Sequence, residues 1–368
     1  MKGLYCRTWR LFAMTLLGIM AGCATPVVQP QEVPPVLREV AASPRQWTGI
    51  AVSREGRIFV NYPRWSDSVP FAVGEVAKNG VVVPFPAGDL QTWRQGLDPR
   101  VHFVCVQSVV ADEAGTLWVL DPANPKFQGV VPNGPKLVRI HLLSGSVLRV
   151  YPFDATVAPA DSYLNDVRFD LRRDHAYITD SGTGALVVLN LTTGFARRVL
   201  AGHPATKAEK IVLTIEGKEW RRPDGSAPQV NADGIALDNS GDYLYFQALT
   251  GRTLYRIETR WLRDSLLPAG ELEKKVETLG VTGAADGLEF GPDGMLYITA
   301  LEENAIKRFD PASRTVATVI TDARLSWPDS LAFGPDGSLY VTTSQIHRGA
   351  ERTEPYRIFR VSPETLLR

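Results

Sequence analysis

The sequence predicts an all-β fold, a six-bladed β-propeller whose last blade is closed by an N-terminal strand. Three observations carry this. A strand–turn–strand unit recurs six times, with first residues Thr48, Gln107, Asn165, Asp233, Asp286 and Asp329. Each unit is a small antiparallel meander that cannot bury both faces alone, and radial packing of such sheets around an axis solves that problem. Residues 36–40 read as a strand with no partner in their own unit, while Tyr356–Val361 is a strong strand after the sixth unit. Closing the ring with both chain ends removes an exposed edge, with the strand that pairs with residues 36–40 left open.

The clearest unit lies in residues 231–257. Ile235, Ala236 and Leu237 form a short apolar strand, Asp238-Asn239-Ser240-Gly241-Asp242 a turn, residues 243–247 a second strand, Thr250-Gly251 another turn and residues 254–257 a third strand. Asn, Asp, Ser and Gly suit such turns because they tolerate positive φ or bond their own backbone. The units starting at Asp286 and Asp329 are close copies, each with a Gly-Pro-Asp-Gly turn. Looser copies pair residues 165–170 with Ala176-Tyr177-Ile178, and residues 107–112 with Leu117-Trp118-Val119. The earliest pairs residues 48–53 with Arg57-Ile58-Phe59-Val60.

Along the chain, residues 1–22 read as a lipoprotein signal peptide, 23–35 as a tether and 36–368 as the propeller domain. Lys2, Arg7 and Arg10 form a basic start, and residues 11–20 are an apolar run too short to span a membrane as a helix. Ile19-Met20-Ala21-Gly22-Cys23 resembles a bacterial lipobox, which makes Cys23 the lipidated residue; Met stands where Leu is usual, and an ordinary signal peptide is the alternative. The expected location is the cell envelope; Ala24 and not Asp follows the cysteine, and resemblance to known lipoprotein sorting implies the periplasmic side of the outer membrane in a Gram-negative host. Secretion is the alternative. Cys105 is then the one interior cysteine and is read as a small hydrophobe.

The chain has 40 basic and 40 acidic residues, which argues against a general nucleic-acid binder. Its expected partners are a small-molecule ligand and the membrane through the anchor, and it is expected to be a monomer. Surplus residues fall in loops at 63–99, 122–135 and 203–230, and residues 261–267 read as a helical turn. Long loops in a compact domain are more often functional than idle, and in a propeller they wall one mouth of the channel.

Several of these stretches carry a family resemblance. Asn61-Tyr62-Pro63-Arg64-Trp65, following Gly56-Arg57-Ile58-Phe59-Val60, resembles the opening motif of the major royal jelly/yellow protein family. Tyr163-Leu164-Asn165-Asp166-Val167, Ile178-Thr179-Asp180-Ser181, Asp233-Gly234-Ile235-Ala236-Leu237 and Leu244-Tyr245-Phe246-Gln247-Ala248-Leu249 are similar to further motifs of it. The resemblance spans nearly all of the expected mature chain and again implies a six-bladed propeller. Some members of that family resemble dopachrome-converting enzymes and others bind biogenic amines. The wider gluconolactonase/regucalcin-like superfamily holds a divalent cation in its channel.

The first residues of the units are the candidate site: Gln107, Asn165, Asp233, Asp286 and Asp329, with Thr48 in the first blade. Carboxylates gathered around one axis cannot all ionise in a desolvated channel without a cation or a raised pKa. Hard oxygens suit Ca²⁺ or Mg²⁺, with Asn165 and Asp233 the expected metal ligands, and they would equally attract an ammonium group. The plainer alternative is that each Asp closes its own turn. The five histidines show no paired zinc spacing, and no G-x-S-x-G elbow occurs. Trp47 and Trp327, each beside a unit start, read as core residues before ligand-stacking ones. Binding of a small cationic or aromatic ligand, or of a divalent metal, is the expected function. The alternatives are a metal-dependent lactonase- or dopachrome-isomerase-like enzyme, and a scaffold that presents its loops. The lactonase-type site includes an early Glu where this chain has Thr48, and no catalytic residue is assigned.

Overall fold

The computed structural model describes residues 1, 37–67 and 69–366. Beyond Met1, the expected signal peptide, the tether, Cys23 and Val36 lie outside those residues.

The fold is a six-bladed β-propeller. Each blade is a four-stranded antiparallel sheet, and in the first five the strands follow chain order from the axis outward. The innermost strands are Ile50–Val52, Ser108–Ala111, Leu164–Asp170, Ala232–Leu237, Leu288–Phe290 and Pro328–Phe333. Neighbouring inner strands touch around the whole ring, blade six against blade one included.

The core lies between blades. Alternating strand residues point to opposite faces of each sheet, so every sheet contributes an apolar face to each neighbour. Trp118 of blade two stacks on Phe169 of blade three at 4.5 Å. Tyr245 of blade four meets Phe290 of blade five edge-on at 5.0 Å, and Tyr297 of blade five meets Phe333 of blade six at 5.2 Å. Phe59, Phe246, Phe309 and Phe359 are fully buried, each contributing about 2 kcal/mol or more of transfer free energy.

The N-terminal strand runs Leu37–Ser43 and is the outermost strand of blade six. It pairs antiparallel with Tyr356–Val361, Leu37 opposite Val361 and Ser43 opposite Tyr356, with a bulge at Val40. That partner was left open by the sequence. Leu37 and Ala41 are buried in the pairing, and Arg357 Nε donates to Glu39 Oε2 at 3.0 Å.

The helical turn expected at 261–267 is displaced. The helix is Thr259–Arg263, directly off the third strand of blade four, because Thr259 N and Oγ1 both donate to backbone carbonyls of the Gly241-Asp242 turn. The 203–230 loop carries a small hairpin, Thr214–Ile215 with Lys218–Glu219.

Candidate ligand site at the channel mouth

The inner strands are irregular where the site lies. Pairing slips between Leu164 and Val167, between Ala232 and Ile235, and between Pro328 and Leu331. The bulged residues are therefore Asn165-Asp166, Asp233-Gly234 and Asp329-Ser330, and a bulge re-aims side chains at the end of a strand. The freed backbone groups are met by threonines of the second strands. Thr179 Oγ1 accepts from Asp166 N and donates to Asp233 O at 2.7 Å. Thr299 Oγ1 accepts from the Asp286 and Gly287 amides, and Thr342 Oγ1 from Ser330 N.

This leaves the carboxylates free of backbone duty. Asp233 Oδ2 accepts from Asn165 Nδ2 at 2.7 Å. Asp286 Oδ2 accepts from Trp327 Nε1 at 2.6 Å, and Asp329 Oδ1 from Ser330 Oγ at 2.9 Å. None of these is a turn-closing bond to an amide. Asp121 and Asp180 show the contrast, since each binds three backbone N–H groups at a strand end.

Asp233 is 2 % exposed, and its Oδ1 has no hydrogen-bond partner. Burial holds its carboxyl well above the usual range, and the charge of Asp286 adds to the effect. Asp286 is raised by burial and by Asp329, and burial pushes Asp329 up to about 7 against the hydroxyls of Ser344 and Ser330. Asn165, Asp233, Asp286 and Asp329 thus form one connected group. Gln107 is buried apart from that group, its Oε1 accepting from Tyr163 OH at 2.9 Å, which in turn accepts from Trp65 Nε1 at 2.7 Å. Phe127, 61 % exposed, packs against both the Trp65 and Tyr163 rings, at 5.4 and 5.0 Å. Cys105 is buried 3.8 Å from Tyr163 OH, and burial pushes its thiol up to about 12, so it is a packed, protonated thiol. Trp327 is both core and site: fully buried, it bonds the channel carboxylate.

Three residues the sequence reading missed line the channel further in. A cavity of about 170 Å³ has walls of Gly, Ser, Ala, Val, Ile, Leu and Phe except at Asp166, Arg168 and Glu289. Arg168 reaches from blade three to blade five, donating to Leu288 O at 2.6 Å and lying 3.1 Å from Glu289 Oε2. Burial raises both Asp166 and Glu289, and Arg168 opposes the shift in each. The signal was available: the second and fourth residues of each repeat also face the axis, and there only these three carry charge.

Asn165, Asp233, Asp286 and Asp329 supply hard oxygens of the kind a divalent cation takes. Among the described residues, however, no three His, Cys, Asp or Glu side chains are grouped as a metal site. The first-blade position supplies no carboxylate, and the Thr48 hydroxyl is engaged with Asn61 Nδ2 at 2.8 Å and Gln107 O at 3.3 Å.

Residues 104–362 match the family model described as major royal jelly protein. The chain belongs to the major royal jelly protein family. Its relatives include Protein yellow of Drosophila pseudoobscura pseudoobscura, 22% identical over 273 residues, covering 68% of this chain and 47% of the relative. Protein yellow of Drosophila madeirensis is also 22% identical, with 68% and 46% covered. This royal jelly family chain spans about half the length of the relatives it matches. Among solved structures, a gluconolactonase from Xanthomonas campestris aligns with a TM-score of 0.56 at 13% identity, covering 89% of each chain. A luciferin-regenerating enzyme aligns with 0.55 at 13% identity, covering 89% of this chain and 95% of that one. At such identity these two speak for the propeller fold alone.

Proposed function

We propose that this protein binds a small cationic guest, an ammonium group in the first instance, at the channel mouth. One observation carries the reading: Asp233 Oδ1 is buried without a donor beside two further carboxyls held above their usual range. A cation there offsets repulsion that protons otherwise have to relieve. Asn165 orients Asp233 through the 2.7 Å bond, and the exposed ring of Phe127, packed on Trp65 and Tyr163, offers an organic cation a π-face. A divalent ion on Asn165 and Asp233 is the second reading, supported by the oxygen donor set. An enzyme of lactonase or dopachrome-isomerase type would use the same mouth. The absent first-blade carboxylate argues against the lactonase form.

Calorimetric titration of the purified domain with tyramine, and separately with CaCl₂ and MgCl₂, tests this. Saturable tyramine binding supports the reading. Binding of Ca²⁺ or Mg²⁺ with no response to the amine supports the metal reading, and no response to any of them removes both. Attachment to the envelope through Cys23 belongs to the same proposal. Cys23→Ser should release the chain from membranes or block its processing, and unchanged fractionation would contradict the anchor.

A further inference from the structure

The face opposite the channel mouth carries a pattern that the channel does not need. Each inner strand starts at the mouth, so in every antiparallel blade the first-to-second and third-to-fourth turns fall on the far face. The third-to-fourth connections of blades one to four each carry an exposed large apolar side chain: Val81, Leu143, Phe195 and Leu266. Leu143, Phe195 and Leu266 are 89 %, 62 % and 91 % exposed, so these tips stand clear of their own blades. Leu171, in the first-to-second turn of blade three, and Val147, where the outer strand of blade two leaves its turn, extend the patch. Apolar residues scattered singly over a surface need no explanation; four at equivalent turns of successive blades share one face and call for one.

The turns hold these side chains outward while keeping their own backbone paired. Gly145 N donates to His141 O and Gly194 N to Asn190 O, each at 2.8 Å, and Asn190 N donates to Phe195 O at 2.9 Å. Leu266 N donates to Asp264 Oδ1 at 2.9 Å. A tip closed in this way can enter an apolar layer without stranding those donors. Trp261, half-buried on the same connection as Leu266, lies under Arg260 and Lys275 at 4.4 and 4.8 Å. An indole with basic heads over it suits the boundary between headgroups and acyl chains. Exposed acids such as Glu113, Asp174 and Glu273 stand among the bases Lys78, Arg172 and Lys274, so the attraction of this face is apolar and not ionic.

One further relationship selects the occupant. The strand Leu37–Ser43 runs antiparallel to Tyr356–Val361 and therefore begins on this same face. The chain that precedes Leu37, Cys23 included, is joined to the domain there.

We propose that this face docks on a phospholipid bilayer. Val81, Leu143, Phe195 and Leu266 enter the boundary between headgroups and acyl chains, and the channel mouth is turned away from the membrane. The proposal rests on the envelope reading above for the membrane it meets, and is independent of what the channel binds. A lipid at Cys23 would tether the domain but leave it free to turn; the apolar tips fix which side meets the bilayer and keep the mouth open to solutes.

The test places a polarity-sensitive fluorophore on the mature chain at Leu143→Cys, Phe195→Cys or Leu266→Cys, and on the mouth side at the exposed Ser226→Cys. Cys105 is buried, and the parent chain carried through the same labelling gives the background. The probe used is a vesicle of phosphatidylethanolamine and phosphatidylglycerol, with and without nitroxide-labelled acyl chains. Emission at 143, 195 and 266 should shift to the blue and be quenched by the nitroxide, with no change at 226. Adding Leu143→Ser and Leu266→Ser should return the 195 probe to the level of the 226 probe. A chain that sediments with the vesicles through its lipid but shows no quenching at the three tips would overturn the proposal and leave the anchor standing. Quenching at 226 equal to that at the tips would overturn the orientation. Quenching at the tips in a chain that carries no lipid would uphold the face and contradict the anchor. A chain that neither sediments nor is quenched would overturn both. Self-association without vesicles, abolished by Leu143→Ser with Leu266→Ser, would assign the face to a second copy of this chain and overturn the membrane reading.

Discussion

Asn165 Nδ2 donates to Asp233 Oδ2 at 2.7 Å, joining the innermost strands of blades three and four at the channel mouth. The bond uses one carboxylate oxygen and leaves the other, Oδ1, buried and without a donor. The bulges that present Asn165 and Asp233, and the threonine hydroxyls that take over the freed backbone groups, make this arrangement stable. The consequences can be measured.

The first concerns pH. Asp166, Asp233, Asp286, Asp329 and Glu289 all keep their protons to higher pH in the fold than as free carboxyls. Between the ordinary carboxyl value of 3.8 and the value of about 7 for Asp329, the folded chain binds more protons than the unfolded one. Stability of the ligand-free fold from this source is therefore greatest at low pH and falls as pH rises through that window. Glu216 and Asp180, shifted downward, act oppositely and lose their contribution only on strong acidification. Denaturant midpoints at pH 5.5 and 8 should show a steeper decline for the wild type than for Asp233→Asn. Parallel profiles would contradict the assignment of raised carboxyls to the channel.

The second concerns closure. A chain lacking residues up to Ala42 should lose cooperative unfolding, because the Tyr356–Val361 edge is then bare. Loss of Leu37 burial alone accounts for about 2 kcal/mol, before any ladder bonds are counted. Calorimetric melting checks this, and a truncated chain with the full-length melt would show that the pairing adds nothing.

The third concerns the buried pair in blade two. Lys136 Nζ lies 2.9 Å from Asp121 Oδ2 with both side chains almost fully buried, and Asp121 also receives the Val104, Cys105 and Ala123 amides. Asp121→Ala strands a buried ammonium and three N–H donors, so urea unfolding should show a loss of about 3–5 kcal/mol. A loss below about 1 kcal/mol, the scale of an exposed pair, would contradict the burial.

Much of this molecule was legible in its repeats. Six copies of one meander gave the blade number, and Tyr356–Val361 was read to the residue because its apolar alternation is strong. The unit starts at Asn165, Asp233, Asp286 and Asp329 do gather, since equivalent positions in a ring stand at equivalent heights. Other features depend on things repeats do not encode. The choice between turn-closing and free carboxylates turned on Thr179, Thr299 and Thr342, which lie in neighbouring strands. Arg168 and Glu289 meet across the channel from blades three and five, a pairing set by the closed ring. The Glu216–His347 contact joins residues far apart in the chain through an insertion with no counterpart in the other blades.

The most direct test of the central claim is tyramine binding and unfolding of Asp233→Asn beside the wild type at pH 8. The account predicts an amine affinity lower by roughly 10- to 100-fold, the range of one lost charge-assisted hydrogen bond. It also predicts a ligand-free fold at least as stable as the wild type, because repulsion with Asp286 and Asp329 is relieved. A fold destabilised equally with and without the amine, at unchanged amine affinity, would contradict it and return Asp233 to a purely structural role.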